Sequence, residues 1–189
     1  MNSSRNDMIL RLLESPRTAF STKGVALLTD VERGALMTQR LNYYVRQGRL
    51  LNLRKGIYAK RDYFPEEVAG LVFSPSYISL EYVLQKAGVI FQYDSSITSV
   101  SYLSRSVDID GRVYSYRKMK GEILSNLAGI EQRDYYCIAT PERALLDVMY
   151  LNANYYFDNL NVLNKKKIME LLNVYQSKRL KERIAQLFK

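Results

Sequence analysis

The stretch TQRLNYYVRQGRLLNLRK, from Thr38 to Lys55, gathers the side chains best suited to chemistry. That chemistry is recognition. The amides of Gln39 and Asn42 suit bidentate pairing with adenine, and the guanidinium of Arg46 suits guanine. Tyr43 adds a phenol, and Thr38 and Arg40 flank the set. Arg49, Arg54 and Lys55 are cations of the kind that hold phosphates, because fork and point charges position a duplex without reading it. From Leu41 to Lys60 there are five Arg and Lys residues and no acid.

Other chemistries are less well supplied. The chain has no histidine, which removes His-based general bases, Ser–His and Cys–His nucleophiles and nearly all zinc sites. Its single cysteine, Cys137, lies in the apolar run YYCIA and reads as a buried, inert thiol. Asp108 and Asp110 invite a metal-site reading, but no Glu-x-Lys accompanies them as a restriction-type nuclease requires. Asp110-Gly111 reads better as a tight turn. No phosphate-cradling GxxxxGK[ST] or GxGxxG motif occurs. Lys165-Lys166-Lys167 reads as a solvated helix start. The sixteen tyrosines, paired at 43–44, 135–136 and 155–156, read as half-buried rings rather than a base-stacking platform. The expectation is a protein that is not an enzyme and needs no cofactor or metal.

The charge is uneven. Of the net +9, residues 1–63 carry +7 and residues 64–189 carry +2. A basic segment on a near-neutral body implies a polyanionic partner, most commonly nucleic acid. No apolar run approaches the roughly 18 residues that span a membrane. The start MNSSRNDMILRLLES lacks the apolar core of a secretory signal, so no membrane partner and a cytoplasmic location are expected.

The elements that must position these groups follow from periodicity. Met8, Ile9, Leu12 and Leu13 give a helix over 6–13. Ser21-Thr22 caps a second helix with Val25, Leu27 and Leu28 as its apolar contacts. A third helix runs from Ala35 to Gln47 and stops at Gly48. Its stripe of Met37, Leu41, Tyr44 and Val45 packs, while Gln39, Asn42, Tyr43 and Arg46 lie opposite. Leu50–Leu53 and Ile57–Ala59 form two short strands joined by the basic turn Arg54-Lys55-Gly56. Three helices and a basic hairpin are the order of a winged helix-turn-helix.

At Pro65-Glu66-Glu67 the composition changes, so the expected division is a DNA-binding domain over 1–63 and a mixed α/β domain over 64–189. In the latter, helices are expected over 66–73, 76–87, 141–151 and 164–189, the last with a break near Ser177. Strands are expected over 97–102, 112–119 and 135–139. Thr140 caps the helix that starts at Pro141, with Arg143 and Asp147 pairing at i, i+4 away from its packing side.

The ordered motifs LNYYVRQGRLLNLRKGIYAK, PSYISLEYVLQKAGVI, GRVYSYRKM and IATPERALLDVMYL together resemble the AbiEi-type antitoxins, the transcriptional-regulator halves of type IV toxin–antitoxin systems. The resemblance covers roughly residues 20 to 155. It implies an α+β chain in which an N-terminal winged helix binds inverted repeats in double-stranded operator DNA of its own promoter. It also implies a C-terminal antitoxin domain that counteracts a nucleotidyltransferase-like toxin without necessarily forming a stable complex. Contact with DNA then falls on the third helix and on Arg49, Arg54 and Lys55, and Glu142 and Asp147 have no catalytic role. A stand-alone regulator without a toxin, or a protein-interaction module, is the alternative reading of the same residues.

Overall fold

The computed structural model describes residues 3–188. The chain is α+β, and the division between two compact units falls after Val72.

The first unit holds helix α1 (Ser3–Glu14), strand β1 (Ala19–Ser21), helices α2 (Thr22–Thr29) and α3 (Ala35–Arg46), strands β2 (Leu51–Arg54) and β3 (Ile57–Ala59), and helix α4 (Pro65–Val72). The strands form an antiparallel sheet in the order β1-β3-β2, with Tyr58 opposite both Phe20 and Asn52. Its core joins Met8, Ile9 and Leu12 of α1 to Phe20, Val25, Met37, Leu41, Tyr44, Leu50 and Tyr58. The Ser21 hydroxyl accepts from Gly24 N–H at 3.0 Å, capping α2 as its sequence implies. Leu27 does not pack: it is 77% exposed, and Leu28 is also exposed. The inward face of α2 is Val25 and Thr29, one turn apart, with the Thr29 hydroxyl donating to Val25 O.

Helix α4 belongs to this first unit, which moves the expected 63/64 boundary to the far end of the helix. The reason is a buried carboxylate. Glu67 accepts from the backbone N–H groups of Thr18 (2.8 Å) and Ala19 (2.9 Å), and Phe64 N–H donates to the Thr18 hydroxyl. An acid-rich helix start reads as a surface feature in sequence. Here its second acid satisfies two donors at the start of β1.

The second unit is built on a six-stranded mixed sheet in the order β6-β7-β5-β4-β9-β8. The strands are β4 (Ser76–Ile78), β5 (Ile97–Ser101), β6 (Arg105–Ile109), β7 (Arg112–Lys118), β8 (Ile130–Arg133) and β9 (Tyr136–Ala139). The helices are α5 (Glu81–Lys86), α6 (Gly121–Ser125), α7 (Pro141–Leu151), α8 (Lys165–Leu171) and α9 (Lys178–Leu187), with a 3-10 turn at Leu172–Val174. Pairs β5–β7 and β4–β9 are parallel and the others antiparallel. The single helix expected over 76–87 is instead a strand and a short helix. Tyr77 and Ile78 pair with β5, and Ile78 also pairs with Ile138 of β9, so tertiary pairing overrides the helical spacing. The chain changes course at Leu80, whose φ of 61° is strained for a branched side chain. The break at Ser177 is present, and its hydroxyl caps α9.

Helix α7 organises this unit. Thr140 caps it and Pro141 opens it, as expected. Arg143 and Asp147 do pair, Nε to Oδ1 at 3.4 Å, but both side chains are 0% exposed rather than on an outer face. The guanidinium donates to Tyr77 Oη (3.1 Å), Ile123 O (2.8 Å) and Ala128 O (2.9 Å). Asp147 accepts from the hydroxyls of Ser79 (2.8 Å), Tyr175 (2.6 Å) and Tyr77 (3.1 Å). One ion pair thus fastens β4, the α6 region and the turn before α9 to α7. Burial pushes the Asp147 carboxyl up despite Arg143 and the three hydroxyls, and burial together with Asp147 pushes the Tyr175 phenol well up. Cys137 is half-buried, not fully buried. Its thiol donates to Gln132 Oε1 at 3.0 Å, and burial raises its pKa.

Candidate nucleic-acid interface

Helix α3 spans Ala35–Arg46, one residue short of the span read from sequence. Three neighbouring positions on its wheel, Met37, Leu41 and Tyr44, are buried, and Val45 packs partly against the same core. The helix is therefore fixed in rotation, and its other face is fixed outward. Gln39, Asn42, Tyr43 and Arg46 are all exposed there, with Tyr43 at 46%. The Tyr43 ring stands edge-on to buried Tyr44 at 5.6 Å, which limits its freedom while leaving it open to solvent. Thr38 is exposed, but its hydroxyl already donates to Gly34 O (3.1 Å). Arg40 is half-buried at the edge of the face. An open groove of about 690 Å³ runs beside Thr38, Gln39, Asn42 and Arg46.

The helix ends in a closed cap. Gly48 has φ of 65°; its N–H donates to Val45 O (2.9 Å), and Arg49 N–H donates to Tyr44 O (2.9 Å). These are the two bonds of a Schellman motif. A Cβ on Gly48 would lie 2.6 Å from the Arg61 guanidinium, whose Nε donates to Gly48 O (2.7 Å). The cap sets the direction of Arg49, which is exposed just beyond α3. The chain then enters β2, where Leu51 and Leu53 lie half-buried and Asn52 and Arg54 point outward. Lys55 is exposed at the turn, and Gly56 takes the positive φ that closes it. Gly56 O accepts from Thr22 N–H (3.0 Å), and β3 pairs with β1, so the hairpin is anchored on both sides. Burial raises the Tyr58 phenol in β3.

The nine residues singled out from sequence therefore fall on one helix, the cap that ends it and the hairpin that follows. The first unit brings them into a continuous piece of chain whose inner side is core. One large exposed side chain of α3 escaped the sequence reading. Leu36 is 59% exposed, and it lines a small cavity of about 80 Å³ with Gln39, Arg40, Tyr43, Tyr44 and Arg46. Its wheel position beside Tyr43 was the available signal.

The competing site at Asp108 and Asp110 resolves into turn geometry. Gly111 N–H donates to Asp108 Oδ1 (3.2 Å), and Asp110 and Gly111 both take positive φ between β6 and β7. Among the described residues no cluster of three or more His, Cys, Asp or Glu is placed to hold a metal ion. No helix among them is long and apolar enough to cross a membrane.

No family model matches this chain, and no curated protein matches it. The chain is similar to a solved structure, that of the RV2827C protein from Mycobacterium tuberculosis, with a TM-score of 0.56 at 10% identity over 98% of this chain and 76% of that one. At that identity the likeness is one of fold alone.

Proposed function

We propose that the chain is a sequence-specific DNA-binding transcriptional regulator. In this reading the first unit is a winged helix-turn-helix: α3 enters the major groove and the β2–β3 hairpin lies against the backbone. One observation carries it. The face of α3 turned away from the core presents Gln39, Asn42, Tyr43 and Arg46 together, and the chain leaving that helix presents Arg49, Arg54 and Lys55. Base-reading types sit on the helix and phosphate-holding types follow it. The excess charge of +7 in residues 1–63 supports the same division.

The resemblance to AbiEi-type antitoxins extends the proposal. The protein represses its own operon by binding inverted repeats, acts in the cytoplasm without catalysis or a cofactor, and counteracts a nucleotidyltransferase-like toxin through its second unit. The exposed Leu27 and Leu28 on α2 favour a second reading, a protein-interaction module whose first unit packs against a partner. A gel-shift titration of the full chain on the DNA upstream of its own gene, at several salt concentrations, separates the two. DNA binding predicts nanomolar affinity that falls steeply with salt. The interaction module predicts weak binding that does not distinguish this DNA from a scrambled duplex. In the first case Arg46→Ala costs about 1–3 kcal/mol and relaxes preference at one base pair.

A further inference from the structure

Leu36 is a large apolar side chain held in solvent on the first turn of α3. It precedes Tyr43 by two helical turns, so the two stand on the same flank of the outward face. Between them lies the small cavity whose remaining walls are Gln39, Arg40, Tyr44 and Arg46. The lining combines the apolar side chain of Leu36 with hydrogen-bonding amide and guanidinium groups. Major-groove edges differ in whether they offer such a pattern. Only thymine presents a methyl group, next to an O4 acceptor, and the adenine paired with it presents the N7 and N6 groups that an amide matches.

We infer that Leu36 is a specificity-determining residue that reads a thymine C5-methyl, with Gln39 pairing the adenine of the same or the adjacent base pair. The inference rests on the DNA-binding reading above and adds to it a base identity. Leu36 touches the methyl through van der Waals contact and excludes water from it. Its loss removes selectivity for one base without removing a charge. Removing the methyl from the DNA weakens binding by about fourfold, the effect of burying one such carbon.

The test begins with selection of the full-length protein's preferred sites from a random duplex library. Each thymine of the enriched site is then replaced in turn by deoxyuridine, which deletes only the methyl. The expected result is one thymine whose replacement weakens the wild-type chain about fourfold and leaves Leu36→Ala unaffected, with the salt dependence of both proteins unchanged. An enriched site at which no thymine behaves so, or at which Leu36→Ala loses as much as the wild type, overturns the assignment of Leu36 while leaving the DNA-binding reading intact. Enrichment of no sequence at all overturns both. Leu36 is exposed and outside the core, so circular dichroism of Leu36→Ala should match the wild type.

Discussion

Asp147→Asn should destabilise the second unit more than any surface change. The substitution keeps the size of the side chain and removes only its charge. Arg143 would then remain fully buried as an uncompensated cation, although Tyr77, Ile123 O and Ala128 O would still accept from it. Breaking one side of a buried pair costs about 3–5 kcal/mol. Three hydroxyl donors, from Tyr77, Ser79 and Tyr175, would also face a weaker acceptor, which places this site toward the upper end. Because the chain has no tryptophan, far-ultraviolet circular dichroism is the natural probe of urea unfolding. With an m-value of about 2 kcal/mol/M the midpoint should fall by about 2 M. Amide hydrogen exchange should assign the loss to residues 73–188 and leave the first unit protected. Adding Arg143→Met should recover part of the loss, since removing both charges leaves none stranded. A cost below about 1 kcal/mol for Asp147→Asn, or strict additivity in the double variant, would refute the view that this pair holds α7 to the sheet.

Arg54→Ala should weaken binding to every DNA sequence alike and lower the slope of log K against log salt by about one, as measured by fluorescence anisotropy. Gly48→Ala should cost the first unit about 1–2 kcal/mol in thermal or urea unfolding, because it forces an L side chain into φ of 65° against the Arg61 guanidinium. Glu142 supplies a pH test. Burial raises its carboxyl, but the backbone N–H groups of Glu142 and Asn164 and the Lys167 ammonium more than offset this and hold it below the ordinary value of 4.5. The folded state therefore favours the ionised form. That stabilisation is present above pH 4.5 and is lost as pH falls through the folded value, so Glu142→Gln should flatten the acid limb of the unfolding curve below pH 4.5.

Where one face of an element is strongly apolar, its sequence located it well. Helix α3 and the hairpin have such faces, and so their outward residues could be named in advance. Strand β4 was hidden inside a helical spacing, and the other strands not expected, β1, β6 and β8, lack that contrast. Outer strands β6 and β8 expose most of their residues, and β1 has only three residues, so neither alternation nor an apolar run marks them. Arg143 and Asp147 were misplaced for the opposite reason. An i, i+4 ion pair reads as a solvated helix face, yet α7 lies between other elements and is buried on nearly every side. Burial of that kind depends on partners far away in the chain, which local periodicity does not contain. Leu36 is legible only through its wheel position beside Tyr43, because an exposed leucine on a polar face does not extend the apolar stripe that marks the packed side.

The sheet of the second unit has a consequence for the order in which the protein comes into being. Its central strand β4 bonds to β5 on one side and to β9 on the other, and Ile78 must wait for Ile138 before that second edge closes. The first unit is a compact cluster that ends at Val72, before any strand of that sheet begins. During synthesis from the N-terminus, all residues of the unit bearing α3 and the hairpin emerge while the second unit still has an open sheet edge and no α7 to cover it. A nascent chain stalled or cleaved before Ile138 would therefore carry every residue of the basic segment beside a second unit whose sheet cannot yet close.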